Sequence, residues 1–181
     1  MNILYHLAIS NSPMGSRKSR DFRHQQDREV QLHRLKNEPR PFGQPPCAEG
    51  IGRARVQLAC CPSFAEATCW EICEQSNSYN LFRSKASRTA STISLVGFDQ
   101  IEHPSSQLQH FVQSLFAINM PIAPVLTDTA GLDGVSLHLV LFGDLHSMSR
   151  FDWWSDPPPA WEPMVSLANA MLKSFGASNP T

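Results

Sequence analysis

The stretch VSLHLVLFGDLHSMSRFDWW, residues 135–154, decides the fold. In a β-strand, successive side chains point to opposite faces. The first half of the stretch therefore has an apolar face and a mixed face. The apolar face carries Val135, Leu137, Leu139 and Leu141. The mixed face carries Ser136, His138, Val140 and Phe142. Gly143 and Asp144 have turn chemistry, after which the chain returns with Phe151 and Trp153 on one face. The stretch predicts a β-hairpin. A tight turn places His138 opposite Ser149, and a loop that runs through His146 and is longer than two residues is the alternative.

Three more strands are predicted before the hairpin. The segments CWEIC, residues 69–73, and YNLF, residues 79–82, alternate in the manner of strands, with a turn at residues 76–78 between them. The segment STISLVGF, residues 91–98, is rich in residues that favour strands. Together with the hairpin, these segments predict a sheet of about five strands.

Two amphipathic helices are predicted, one before and one after the hairpin. In the first, apolar side chains recur at helical spacing between Leu108 and Phe116. The second follows the proline-rich run WWSDPPPAWEP, residues 153–163, and carries an apolar stripe from Trp161 to Phe175. Strands grouped in this way, without alternating crossovers, are typical of the α+β class. We therefore predict an α+β fold with a mainly antiparallel sheet and both helices packed on one face.

The first third of the chain differs in composition from the rest. Residues 1–55 hold ten basic and five acidic side chains, a net charge of +5, whereas residues 56–181 have a net charge of −6. Polar and charged residues dominate residues 1–62, so that little apolar surface is present to offset the entropy cost of ordering the chain. We therefore predict a basic, largely disordered N-terminal arm over residues 1–62 and a single small α+β domain over residues 63–181.

The composition also limits the class of partner. No apolar run is long enough to cross a bilayer, and five cysteines at irregular spacing favour a reducing compartment. We therefore expect a cytoplasmic protein that does not bind a membrane. The basic residues 17–40 are the only indication of nucleic-acid binding, and they lack interleaved aromatic residues. The sequence has no glycine-rich phosphate loop and no nucleophile elbow, so we predict no cofactor and no catalytic residue.

The sheet face opposite the two helices is the predicted binding surface. Its candidate residues are Val140, Phe142, Trp154 and Tyr79. Exposed apolar patches mark interfaces, and cover by the N-terminal arm or by the loop PIAPVL, residues 121–126, is the alternative. We therefore expect a domain that binds an unidentified protein partner without catalysis, as an inhibitor or an immunity protein.

The last fifty residues contain the turn GLDG, residues 131–134, the leucine-rich strand, the run WWSDPPPAWEP and the closing helix. Together they resemble a pattern of small bacterial proteins, which implies a small bacterial-type domain. The order of the elements is similar to that of emfourin-type protease inhibitors, without a shared inhibitory motif.

A metal-dependent hydrolase is the alternative function. His138, His146 and Asp144 lie around one hairpin, and two imidazoles with one carboxylate form a recurrent set of metal ligands. A tight turn holds the two imidazoles several residues apart along the hairpin. We therefore prefer the expectation that the hairpin binds no metal, and keep the three residues as the ligands of the alternative.

Overall fold

The computed structural model describes residues 15–89, 92–119, 134–144, 147–154 and 157–176, with the backbone alone for residues 15–21 and 23. In this part of the chain, seven antiparallel strands form one curled sheet, a half-barrel. The strands are β1 (Arg40–Pro41), β2 (Arg53–Pro62), β3 (Ala67–Gln75), β4 (Ser78–Arg88), β5 (Ile93–Ile101), β6 (Val135–Phe142) and β7 (Met148–Trp153). The helices are α1 (Gly15–Asn37), α2 (Ser105–Ala117) and α3 (Glu162–Ser174). Across the sheet the strands follow the order β1-β5-β4-β3-β2-β6-β7.

The predicted fold class is wrong in its strand count and in its helix count. The sheet has seven strands instead of about five, and a third helix, α1, packs on the face that was expected to be open. The additional elements α1, β1 and β2 all come from residues 15–62. Residues 1–14 lie outside the described residues.

Strand β2 lies within the segment that was predicted to be a largely disordered arm. It pairs with β3 on one side and with β6 on the other, so that Leu58 lies opposite both Trp70 and Leu139. The boundary expected between residues 62 and 63 therefore falls at the end of a central strand. The polar residues Arg53, Arg55 and Gln57 gave β2 the composition of a solvated arm, but the sheet buries Gln57 completely.

The predicted hairpin and both predicted helices are confirmed. Strands β6 and β7 pair antiparallel, and the four residues of α2 that face the sheet are Leu108, Phe111, Val112 and Leu115. A 3-10 turn at Pro159–Trp161 precedes α3, which has Pro163 in its first turn. The hairpin register differs from the prediction: His138 lies opposite Asp152, not Ser149. The reason is a longer loop, since the N–H of Gly143 donates to the carbonyl of Ser147.

Apolar side chains fill both faces of the sheet. The two-helix face, under α2 and α3, has at its centre Val56, Leu58, Ile72, Leu81, Leu139 and Trp153. The opposite face, here called the α1 face, is covered by α1, β1 and the segment that follows β1. Its buried residues include Leu35, Phe42, Phe82, Phe98, Val140 and Phe142. The sheet is therefore the middle layer of the structure.

One buried ion pair fixes β1 on the α1 face. The guanidinium of Arg40 donates to the Glu71 carboxylate, which is fully buried in β3. The same carboxylate accepts hydrogen bonds from Gln57 Nε2 at 2.8 Å and from Ser84 Oγ at 3.0 Å. Burying a carboxylate is costly unless it is paired and hydrogen-bonded. The sheet can therefore hold Glu71 at its centre only while Arg40 covers it.

In the described part of the chain, no helix is both long enough and apolar enough to cross a membrane.

Candidate functional site

The binding surface predicted from the sequence is not an open face. Val140 is fully buried and Phe142 is 8 % exposed, both within the α1 face. Tyr79 lies on the other side of the sheet, in the two-helix face, and Trp154 is half-buried with the Arg88 guanidinium 5.4 Å from its ring centroid. The four candidates therefore form no common patch. The N-terminal part of the chain covers Val140 and Phe142 instead, which is the alternative considered above.

The candidate metal ligands contact different partners. The Asp144 carboxylate accepts from the Arg53 guanidinium at 2.5 Å, and this bond lowers the pKa of Asp144. The imidazole of His138 instead contacts Asp152, and His146 lies outside the described residues. Among the residues that are described, no three His, Cys, Asp or Glu side chains are grouped as a metal site requires. The metal-dependent hydrolase stays an untested prediction.

A polar cluster connects β6 to β7 on the α1 face. His138 Nδ1 lies 2.6 Å from Asp152 Oδ1, and His138 Nε2 lies 3.2 Å from the hydroxyl of Ser136. Arg150 Nε donates to both oxygens of the same carboxylate, at 3.0 and 2.9 Å. Burial raises the pKa of Asp152, but the hydrogen bonds from His138 and Arg150 outweigh it and hold the pKa below its ordinary value. The cluster keeps Asp152 ionised and fixes its orientation.

The sequence of contacts from Asp152 to His138 to Ser136 has the order of a hydrolase triad. The hydroxyl, however, already has other partners: it accepts from Arg88 Nη1 at 2.8 Å and lies 3.2 Å from the Cys61 carbonyl, to which it can donate. Ser136 is also only 3 % exposed. A nucleophile needs access to a substrate carbonyl and a free proton-transfer path to the base. We therefore interpret the cluster as a support for β7, not as a catalytic centre.

Strand β7 is the end strand of the sheet, and its outer side has no paired strand among the described residues. Hydrogen-bonded and non-hydrogen-bonded pairs alternate along an antiparallel ladder. The Gly143 N–H donates to the Ser147 carbonyl across the hairpin, so the pair Gly143–Ser147 is a hydrogen-bonded pair. Since such pairs recur at every second residue, the odd-numbered residues of β7 direct their N–H and C=O groups toward β6. The even-numbered residues Met148, Arg150 and Asp152 therefore direct their N–H and C=O groups outward.

Two cavities flank the start of β7, one on each face of the sheet. The cavity on the α1 face has a volume of about 730 Å³ and is lined by Pro45, Pro46, Ala54 and Phe142 among others. The cavity on the two-helix face, of about 320 Å³, includes Phe116, Leu141 and Phe151. Met148 borders both cavities and is 54 % exposed. The edge of β7 thus combines outward backbone groups with a recess on either side.

Comparison with known proteins found no matching family, no matching curated protein and no matching solved structure. Inference about function therefore depends on the geometry of this chain. The sequence predicted β7 but not its place at the edge, because the position of β6 in the sheet depends on β2. The signal for β2 was the alternation of Val56, Leu58 and Cys60, which all lie in the two-helix face.

Proposed function

We propose that this chain is a non-catalytic protein-binding module that takes up an extended segment of another polypeptide along the outer edge of β7. The observation that carries the proposal is the position of β7, an end strand with outward N–H and C=O groups at three residues. Strand addition at such an edge gains affinity from main-chain hydrogen bonds and specificity from pockets for alternate side chains.

The sequence of β7 leaves this edge open to pairing. Natural proteins often block an edge strand with proline, lysine or a β-bulge. The segment MSRFDW contains neither proline nor lysine, and its register with β6 runs without a shift from Met148 to Trp153. The charges that it does carry, on Arg150 and Asp152, are opposite and bonded to each other. A partner strand therefore meets an edge with little net charge.

The two cavities fit the alternation of an added strand. Successive side chains of a bound segment point to opposite faces of the sheet, and each face has a recess beside Met148. A role as an inhibitor or immunity protein, which the sequence suggested, requires binding to another protein and is compatible with this edge.

A single proline substitution at the edge tests the proposal. Arg150→Pro removes an N–H that points away from β6, and therefore blocks an added strand while it leaves the β6–β7 ladder bonds in place. Arg150→Ala is the matched control, because it removes the same side chain and keeps the N–H. Peptides selected from a displayed random library on the wild-type protein should bind the alanine variant and lose at least tenfold in affinity for the proline variant. Equal binding to both variants, or no selected peptide although the wild-type protein is monomeric, would overturn the proposal.

A further inference from the structure

We infer that the segment that pairs with β7 is β7 of a second copy of the same chain, so that two seven-stranded sheets join into one across a two-fold axis. This inference rests on the edge-binding function proposed above and names its partner. A two-fold contact uses the same patch on both subunits, so that the patch must be complementary to itself. The charges and backbone groups of β7 meet that requirement.

The backbone restricts the possible registers. Only Met148, Arg150 and Asp152 direct backbone groups outward, so that hydrogen-bonded pairs across the axis must join these even-numbered residues to each other. One such register places Met148 opposite Arg150 and pairs no charges. Three others place charged residues directly opposite each other. They place Arg150 opposite Arg150, Asp152 opposite Asp152, or Arg150 opposite Asp152 of the second copy.

Charge selects one of the three registers. Like charges directly opposite each other destabilise a strand pair, whereas opposite charges stabilise it. The register that joins Arg150 to Asp152 forms two such pairs, one on each side of the axis, and avoids both like-charge contacts. Their side chains are 43 % and 46 % exposed, so they remain accessible from outside the protomer. The carboxylate of Asp152 also has capacity for a further donor beyond His138 and Arg150.

The same register places Phe151 on the two-fold axis. As an odd-numbered residue it forms a non-hydrogen-bonded pair across the axis, in which the side chains of two strands approach most closely. Phe151 is half-buried on the two-helix face and contacts Trp161 edge-on, with ring centroids 5.6 Å apart. Pairing of the two Phe151 rings extends the apolar two-helix face from one copy into the next.

Charge reversal tests the partner and the register together. Light scattering of the wild-type protein over a range of concentrations should give twice the 20.2 kDa mass of one chain. Arg150→Asp alone and Asp152→Arg alone should each give the mass of one chain. An equimolar mixture of the two variants should recover the doubled mass, because both cross-strand pairs then join opposite charges. Circular dichroism melts check that each variant is folded.

The outcomes separate this inference from the proposed function. A wild-type protein that is monomeric at every concentration but binds selected peptides overturns the inference and leaves the function standing. A doubled mass that persists in Arg150→Pro also overturns it, because the contact then lies elsewhere. If Arg150→Asp and Asp152→Arg are both folded but stay monomeric when they are mixed, the register is refuted. Recovery of the doubled mass on mixing supports both the second copy and the register.

Discussion

Replacement of Arg40 by methionine should lower the free energy of unfolding by about 3–5 kcal/mol, the range for breaking a buried ion pair by removal of one partner. Arg40 reaches from β1 to the Glu71 carboxylate at the centre of the sheet. Methionine retains most of the apolar stem of arginine, so that the change removes mainly the charge and its hydrogen bonds.

The magnitude follows from what is left behind. The Glu71 side chain is fully inaccessible, and that of Arg40 is only 10 % exposed. Without Arg40, the carboxylate keeps only its neutral donors Gln57 and Ser84. The remaining charge is then buried without its counter-ion. This is costly, since ionised groups are stable in an apolar environment only when they are paired.

Urea unfolding measures the effect, and Arg53→Met is the matched control. Arg53 also pairs with a carboxylate, but the Asp144 side chain is 78 % exposed, so that removal of this ion pair should leave the free energy of unfolding nearly unchanged. The double variant Arg40→Met with Glu71→Leu should recover part of the loss, because it removes both charges. A loss at Arg40 no larger than that at Arg53 would refute the reasoning and indicate that residues 15–52 do not belong to the core.

Three further predictions concern a glycine, the thiols and one carboxylate. Gly52→Ala should lower the free energy of unfolding by about 2 kcal/mol or more in urea, because φ is +90° and the added Cβ would lie 2.2 Å from the Glu74 carbonyl oxygen. Gly43→Ala is the control: φ is +88° but no atom lies near the added Cβ, so that the loss should be about 1 kcal/mol. In the native protein a thiol reagent at mild alkaline pH should modify Cys47 alone, since the other four cysteines are buried and the pKa of Cys60 is raised to about 11; a second rapidly reacting thiol would contradict this. Asp152→Asn should destabilise the protein by less than about 1 kcal/mol at neutral pH, because the carboxylate is half-exposed. The pKa of Asp152 is lowered in the folded state, so its stabilisation is present above about pH 4 and is lost as the pH falls further; thermal melts of both proteins should converge at low pH, and a constant difference would contradict the assignment.

The sequence predicted those elements whose apolar period is uninterrupted. Strand β6 alternates over its whole length, and α2 and α3 repeat at helical spacing, so that local pattern was sufficient. Strand β2 was missed because polar residues interrupt its apolar pattern, and one of them, Gln57, is buried through contacts with distant parts of the chain. Gln57, for example, accepts from the Gly43 N–H at 2.9 Å and donates to the Glu71 carboxylate. No local pattern encodes such a partner.

The surroundings of the candidate residues could not be predicted for the same reason. Whether Val140 and Phe142 are exposed depends on what covers the sheet, and cover by the N-terminal part of the chain was only the alternative. To predict the pairing of His138 with Asp152, the length of the hairpin loop must be known, and this loop is longer than a two-residue turn. The alternation of side chains along β6 was nonetheless predicted correctly, because it depends on the strand alone.

The central position of β2 has a consequence for the order of folding during synthesis. Strands β2 to β5 are consecutive neighbours in the sheet, and can pair as soon as they leave the ribosome. The other side of β2 stays unpaired until β6 has been synthesised, much later in the chain. Leu139 of β6 then lies opposite Leu58 of β2. Until then the nascent chain presents β2, apolar on both faces, as an open edge. Because such an edge is prone to aggregation, the interval between synthesis of β5 and β6 is the period in which this protein most needs protection by a chaperone.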